Sequence, residues 1–282
     1  MTLKEATKKF VTCCCYHDGT SSDYTPFYAS QEQRNLNTLN NENDKMVQIN
    51  LKNLEFLLTH YDIDVNQTFS SNDDMKMLFF CSTENKDRFS TDCTPLTFAC
   101  EKGYLLVVRK LLESPKTDIN KVDKNGLTAL ATAYRNERID IARELLQHED
   151  IDVNVGQCLG MVCAHCDVDT LKEFLQRSDI RFEVVNAGGR NIFFGVTHAD
   201  KYKELLPFAT EETINKRDNF GMTPLDYACS MRSEDSVELL LTHPKTKDII
   251  HVSDKVIQRE NKRGYPKIIA LFASYSASRP TK

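Results

Sequence analysis

Apolar and polar positions between Thr94 and Asn154 follow a pattern that occurs twice in succession. Thr94-Pro95 opens a short helical run with Leu96, Ala99 and Cys100 on one face. Proline suits the first turn of a helix, where its missing N–H has no partner to lose, and a threonine before it can cap a free N–H. Gly103 interrupts the run. Val107, Val108, Leu111 and Leu112 then give the i, i+3, i+4 stripe of a second helix. An Asp118-Ile119-Asn120 ending leads to Asp123-Lys124-Asn125-Gly126, a tight-turn sequence that favours positive φ at its glycine. Leu127-Thr128-Ala129-Leu130 restarts the cycle, so Thr94 recurs as Thr128 with a period of 34 residues. One such helix pair cannot bury its own apolar face and must stack against copies of itself.

The same cycle can be followed along most of the chain. Asp23 to Ala29 holds a weaker Thr-Pro start at Thr25-Pro26. Its second helix is expected at Leu51 to His60, closed by Ile63-Asp64-Val65-Asn66. About twenty extra residues follow where a turn tip should be, an insert at 67–90 whose most apolar run is Met75 to Cys81. Gln157 to Asn186 is a degenerate copy, and Arg190 to Asn215 is shorter again; the tips before Gln157 and Asn191 are shortened and depart from the pattern. The pattern recovers at Asp218, in DNFGMTPLDYACS and SEDSVELLLTHP. Residues 1–22 read as an N-terminal capping helix, 23–252 as the repeat array, and 253–282 as a closing helix pair and tail. His60, His148 and His243 recur near the ends of second helices, where a cation or donor suits the helix C-terminus.

TPLTFAC, GYLLVVRKLL, DIN and DKNG, at this period, resemble the ankyrin repeat. The resemblance implies an all-α solenoid of about six irregular repeats with capping helices. It also implies protein–protein recognition through the concave face made by turn tips and the exposed ends of first helices. By matched position the partner-binding residues are Lys124, Asn125 and Leu127 at one tip and Asn219, Phe220 and Met222 at another. Along the first helices they are Glu101 and Lys102, Arg135 and Asn136, His165, and Ser230 and Met231. Tyr104 and Tyr134 fall nearby. Interfaces are enriched in aromatic residues, Met and Arg, which favours Phe220, Met222, Met231 and Arg135. Arg190 is a weaker candidate, because its tip departs from the pattern. The irregular repeats and IDVN endings resemble ankyrin proteins of intracellular bacteria and protists. That style implies a secreted effector acting in a host cytosol as one setting.

Composition narrows the chemistry. A net charge of −5 gives no footprint for nucleic acid, and no apolar run is long enough to span a membrane. Ten irregularly spaced cysteines, several at buried helix positions, suggest reduced thiols in a cytosol-like compartment. Cys158, Cys163, His165 and Cys166 form the densest ligand-like cluster. On the repeat pattern, however, Cys163 faces the stack, His165 faces out, and Cys166 takes the place of the turn glycine. They are not expected to converge on a metal. No phosphate-binding loop is present, Gly188-Gly189 standing alone. The expectation is a cytoplasmic, monomeric, non-enzymatic module with no cofactor and no metal, whose partner is another protein. The competing readings are a cysteine-dependent enzyme using Cys13 to His17 or the Cys158 cluster, and an adaptor acylated at Cys13 to Cys15.

Overall fold

The computed structural model describes residues 93–196, 198–246 and 266–278, together with separate residues between 52 and 68. The expected N-terminal helix, the first Thr-Pro start, the Met75–Cys81 run, Cys13 to Cys15 and the first helix of the closing pair lie outside the described residues. The chain divides into two compact units, Met1–Cys158 and Leu159–Lys282. Regular structure among the described residues is helical, and no helix among them is long and apolar enough to cross a membrane.

In the first unit two helix pairs stand where the apolar pattern places them. Helices α1 (Pro95–Lys102) and α2 (Leu105–Leu112) form one pair; α3 (Ala129–Arg135) and α4 (Ile139–Leu146) form the next. Thr94 and Thr128 cap α1 and α3, their hydroxyls accepting from Thr97 N–H and Ala131 N–H. Small residues on the facing sides of α1 and α3, among them Ala99, Ala129 and Ala133, are fully buried and let the two first helices pack directly. Val108, Leu111, Ile141 and Leu145 make the core of the second-helix layer. Upstream, Lys52, Leu54, Glu55, Leu58 and Thr59 are helical, and Leu54 is buried.

Asparagines stitch the outer loops together. Asn66 donates through Nδ2 to the Lys116 carbonyl at 2.7 Å and accepts the Asp118 N–H at 2.7 Å. Asn120 repeats the arrangement one cycle on, with the Asp150 carbonyl at 2.7 Å and the Asp152 N–H at 2.8 Å. Each asparagine thereby satisfies a carbonyl and an N–H that no helix can reach.

The second unit holds α5 (Cys158–His165, whose first residue belongs to the first unit), α6 (Val168–Leu175), α7 (Ala199–Leu205), the short α8 (Glu211–Ile214), α9 (Pro224–Met231), α10 (Glu234–Thr242) and α11 (Pro266–Ser278). Helix α7 packs on α6 and α10, and α10 packs on α9 and α11. Thr223 caps α9 reciprocally: its hydroxyl accepts from Asp226 N–H while the Asp226 carboxylate accepts the Thr223 N–H. Asn215 takes the stitching role here, donating to the Lys245 carbonyl at 2.8 Å.

Two expectations are corrected in this unit. The first helix of the Arg190–Asn215 repeat is reduced to a single 3-10 turn, Ile192–Phe194, anchored by buried Phe193 and Phe194. The Tyr202 hydroxyl of α7 donates to the Phe193 carbonyl at 2.8 Å and replaces packing that a full helix would give. The tip before Asn191 is not shortened. Asn186-Ala187-Gly188-Gly189-Arg190 closes with Asn186 N–H on the Arg190 carbonyl and Gly189 N–H on the Asn186 carbonyl, and Gly189 has φ +77°. Asn186 Oδ1 accepts from Gly188 and Arg190 N–H, as an aspartate does in the other tips. The tip before Gln157 does depart from the pattern: Gly156 lies so close to the backbone of Thr128 that a Cβ would come within 2.4 Å of its nitrogen.

At the ends of the second helices, Nδ1 of His148 and of His243 lies 3.3 Å from the backbone nitrogens of Asp150 and Lys245 and accepts their N–H groups, and His243 also hydrogen-bonds the backbone of Leu206. Burial, with Lys245 nearby, holds the pKa of His243 below its ordinary value.

Candidate functional site

A tip is built from five residues in each complete case. Asp123-Lys124-Asn125-Gly126-Leu127 and Asp218-Asn219-Phe220-Gly221-Met222 share one backbone. The aspartate Oδ1 accepts the N–H groups two and four residues on, at 2.8–2.9 Å in both tips. The glycine takes φ +74° or +75°, a region that other residues enter only at a cost. Asn186 to Arg190 follows the same plan, so Arg190 is the positional equivalent of Leu127 and Met222.

In the first unit, Lys124 and Asn125 are exposed at the tip. Leu127 is not: it is 4% exposed, which removes it from the partner-binding set. Its N–H is tied to Asp123, and the same closure turns the side chain under the tip and into the layer that begins with α3. Tyr104 and Tyr134 are likewise buried, Tyr104 edge-on to Phe98 at 6.4 Å. Glu101 and Lys102 pair with each other at 3.1 Å and are mostly covered, the Lys102 ammonium lying 5.8 Å from the Phe98 ring centre. Arg135 and Asn136 are half-buried, and Asn136 Nδ2 donates to the Thr132 carbonyl.

In the second unit the tip residue Phe220 is 79% exposed, and Met231, at the end of α9, is 51% exposed. Asn219 bridges to the neighbouring tip, its Nδ2 donating to the Ala187 carbonyl and its N–H to the Gly188 carbonyl, both at 3.0 Å. Met222 is half-buried; Ser230 donates to the Tyr227 carbonyl; His165 is exposed.

Arg190 joins these pieces. Its Nε donates to Asp218 Oδ2 at 2.8 Å, and its guanidinium carbon lies 4.7 Å from the Tyr227 ring centre and 5.9 Å from that of Phe220. Both distances are in the range of cation–π attraction. Tyr227 and Met231 are four residues apart on α9 and so share a face. Phe220, Arg190, Tyr227 and Met231 therefore form one strip from the tip along the first helix. Beneath it the Asp218 side chain is completely buried. Burial alone would raise its pKa and is the largest single influence; the Arg190 hydrogen bond and the Met222 and Phe220 N–H groups outweigh it and hold the carboxyl below its ordinary range. Sequence reasoning passed over Tyr227 and under-weighted Arg190. The signals were the four-residue spacing to Met231 and the match of NAGGR to DNFGM.

The cysteine cluster does not assemble. Cys158, Cys163 and Cys166 are buried and His165 is exposed, and among the described residues no three metal-binding side chains converge. Burial pushes the thiols of Cys93 and Cys163 up to about 12 and that of Cys158 to about 11, and raises that of Cys100 as well. Thiols in that state are poor nucleophiles and poor metal ligands. Lys201, buried beside Cys163, donates to its carbonyl at 2.7 Å and closes the end of α5.

Comparison with known proteins agrees with this architecture. The family described as ankyrin repeats (3 copies) matches residues 46–157, and the ankyrin repeat matches again over 220–255. Similar proteins include the transient receptor potential protein of Drosophila melanogaster, 27% identical over 159 residues, which are 54% of this chain and 11% of that protein. Rabankyrin-5 of Mus musculus is 28% identical over 156 residues, 52% of this chain and 13% of the relative. Palmitoyltransferase akr1 of Schizosaccharomyces pombe is 42% identical over 59 residues, 21% of this chain and 9% of that enzyme. The chain thus spans only about a tenth of the length of these relatives. With family matches on both sides of the degenerate repeats and two complete tips of one geometry, the chain belongs to the ankyrin-repeat family.

Proposed function

We propose that the chain is a recognition module that binds a protein partner through the tips and first-helix faces of its repeats, without chemistry of its own. The observation that carries this is Phe220. A large aromatic ring stands 79% exposed on a turn whose backbone is fixed by its own hydrogen bonds. Water disfavours an exposed ring, so its place there is best accounted for by a partner that covers it. In the first unit the corresponding residues are Lys124, Asn125 and Arg135; in the second they are Asn219, Phe220, Met222 and Met231, with Ser230 and His165 at the edges. Glu101, Lys102 and Asn136 already have partners within the protein and contribute less. The six described cysteines are buried and in no disulfide, which suits a reducing compartment, and the proposal places the protein in the cytosol.

The test compares the wild type with Phe220→Ala as bait in a cytosolic extract, scored by quantitative mass spectrometry. Truncation of an aromatic anchor costs about 2 kcal/mol or more at a hot spot. Proteins held by the wild type should fall away at least roughly tenfold with Phe220→Ala, at an unchanged melting midpoint. An identical set retained by both baits would remove Phe220 and this face from the function.

A further inference from the structure

We infer that the strip on the second unit is built to take an acidic segment of its partner, one that carries a carboxylate beside a large apolar side chain. This rests on the recognition reading above and names the chemistry of what is recognised. The key group is Arg190. Its guanidinium is fixed on one edge by Asp218 through Nε and lies against the Tyr227 ring. Its two terminal amino groups have no hydrogen-bond partner among the described residues, and 29% of the side chain remains accessible. A guanidinium immobilised in this way has already lost its rotamer freedom. It presents its remaining donors in the planar arrangement that matches a carboxylate. A simple ion pair with Asp218 would not need the arginine to lie between two rings, one of them exposed.

The neighbouring charges point the same way. Both oxygens of Asp218, the acid of the tip, are occupied by the chain's own groups, and so is Oδ2 of Asp226 at the start of α9. Asp218 takes Phe220 and Met222 N–H and Arg190; Asp226 takes the N–H and hydroxyl of Thr223. The other charged residues next to the tip in the chain are cationic: half-buried Lys216 and exposed Arg217, whose Nη1 donates to the Gly221 carbonyl at 2.9 Å. Glu211 and Glu212 stand earlier on α8, and Asp235 stands later on α10. Phe220 and Met231 flank Arg190 and Tyr227 with exposed apolar surface. A ligand that puts a carboxylate on the arginine and an apolar side chain against Phe220 or Met231 satisfies both features at once. A basic or purely apolar segment satisfies at most one.

Selection from a random-peptide display library on the wild-type protein, with counter-selection on Phe220→Ala, tests this directly. Enriched peptides should carry Asp or Glu within a few residues of a large apolar residue. The tightest of them, resynthesised, should bind about tenfold more weakly when its acids become Gln or Asn, and should weaken with added salt. Arg190→Lys keeps the charge and loses the fork; it should cost a similar factor at an unchanged melting midpoint. The double variant Arg190→Gln with Asp218→Asn retains a neutral hydrogen bond at the same place. A folded double variant that no longer binds supports the assignment even if the single variant melts early. Enrichment of neutral or basic peptides, an amide peptide that binds as well as its acid parent, or no enrichment at all would overturn the acidic-segment assignment. The extract comparison with Phe220→Ala is read independently, so a failure here is distinguishable from a failure of the recognition reading.

Discussion

Asp218 is the residue on which the second unit's tip depends. Two N–H groups and one guanidinium meet its carboxylate, and no solvent reaches it. In the fold its carboxyl is held below the ordinary range, so near and below the usual carboxylate value of about 4 the unfolded chain binds the more protons. The stability it contributes is complete above that value and is lost as the pH falls through the lower, folded value. Asp218→Asn should lower the urea midpoint near neutral pH, and the gap to the wild type should narrow as the pH falls below the usual carboxylate value of about 4. A gap independent of pH would mean that the carboxylate charge is not what the tip uses. The contrast between Leu127 and Phe220 belongs to the same scale. Both are large apolar residues in a tip, yet one is buried and the other exposed, because they occupy the fifth and the third positions of the turn. Apolarity alone does not distinguish them; their place in the turn does.

At the level of elements, helix position was legible because proline, threonine and the apolar spacing act locally. Helices α1 to α4, α9 and α10 fall where TPL-type starts and i, i+3, i+4 stripes place them. What was not legible depended on contacts distant in sequence. Ile192–Phe194 becomes a 3-10 turn because Phe193, Phe194 and Tyr202 fill the space of the missing helix. The Asn186 tip was missed because asparagine stands in for aspartate. The candidate site suffered similarly: Phe220 and Met231 could be read as surface residues, whereas the part of Arg190 needed the position of Asp218, 28 residues away. One detail of the inter-helix turn leads to a prediction. Gly103, Glu137 and Arg232 occupy the same place between first and second helices, with φ of +78°, +56° and +60°. Where such a residue is present, the second helix starts without a side-chain cap; α6 instead is capped by Asp167. A left-handed non-glycine residue costs about 1–2 kcal/mol, of which the greater unfolded-state freedom of glycine returns part. Glu137→Gly should therefore stabilise the first unit by about 0.5–1 kcal/mol, read as a raised urea midpoint. Leu111→Ala, in the centre of the second-helix layer and 1% exposed, should cost about 2–5 kcal/mol by the same measurement. No change there would mean that α2 is rotated away from the core.

At the scale of the whole molecule, stability in a repeat protein is a sum of repeat and neighbour terms, so the weakest copy sets where the chain opens first. The repeats are unequal in what they bury. From Thr94 to Asn154 both helices of each pair are present, two threonines cap the first helices, and Asn66 and Asn120 stitch the outer loops. From Ile180 to Val196 the chain holds a three-residue 3-10 turn and no α-helix. Arg181 and Glu183 to Ala187 are exposed in succession, and Val184 and Val185 are 41% and 43% accessible. What fixes this stretch is the Asn186 turn, the Asn219 bridge and the stacking of Phe182 on Phe208 at 4.8 Å. Few of its amides are held in helices, and from Ile180 to Arg190 no residue is buried. Hydrogen exchange should accordingly be fastest there among the described repeats and slowest on α1 to α4. Gly189→Ala should accelerate it further, because a Cβ would meet Asn219 Oδ1 at 2.5 Å on a backbone with φ +77° and break the bridge that holds the tip. Since the same bridge seats Phe220 over Arg190, the variant should also weaken binding at the strip while leaving exchange in Thr94 to Asn154 unchanged. Equal protection of the two stretches, or a Gly189→Ala effect that spreads evenly over both units, would show that the chain opens as one cooperative body and not from its weakest repeat.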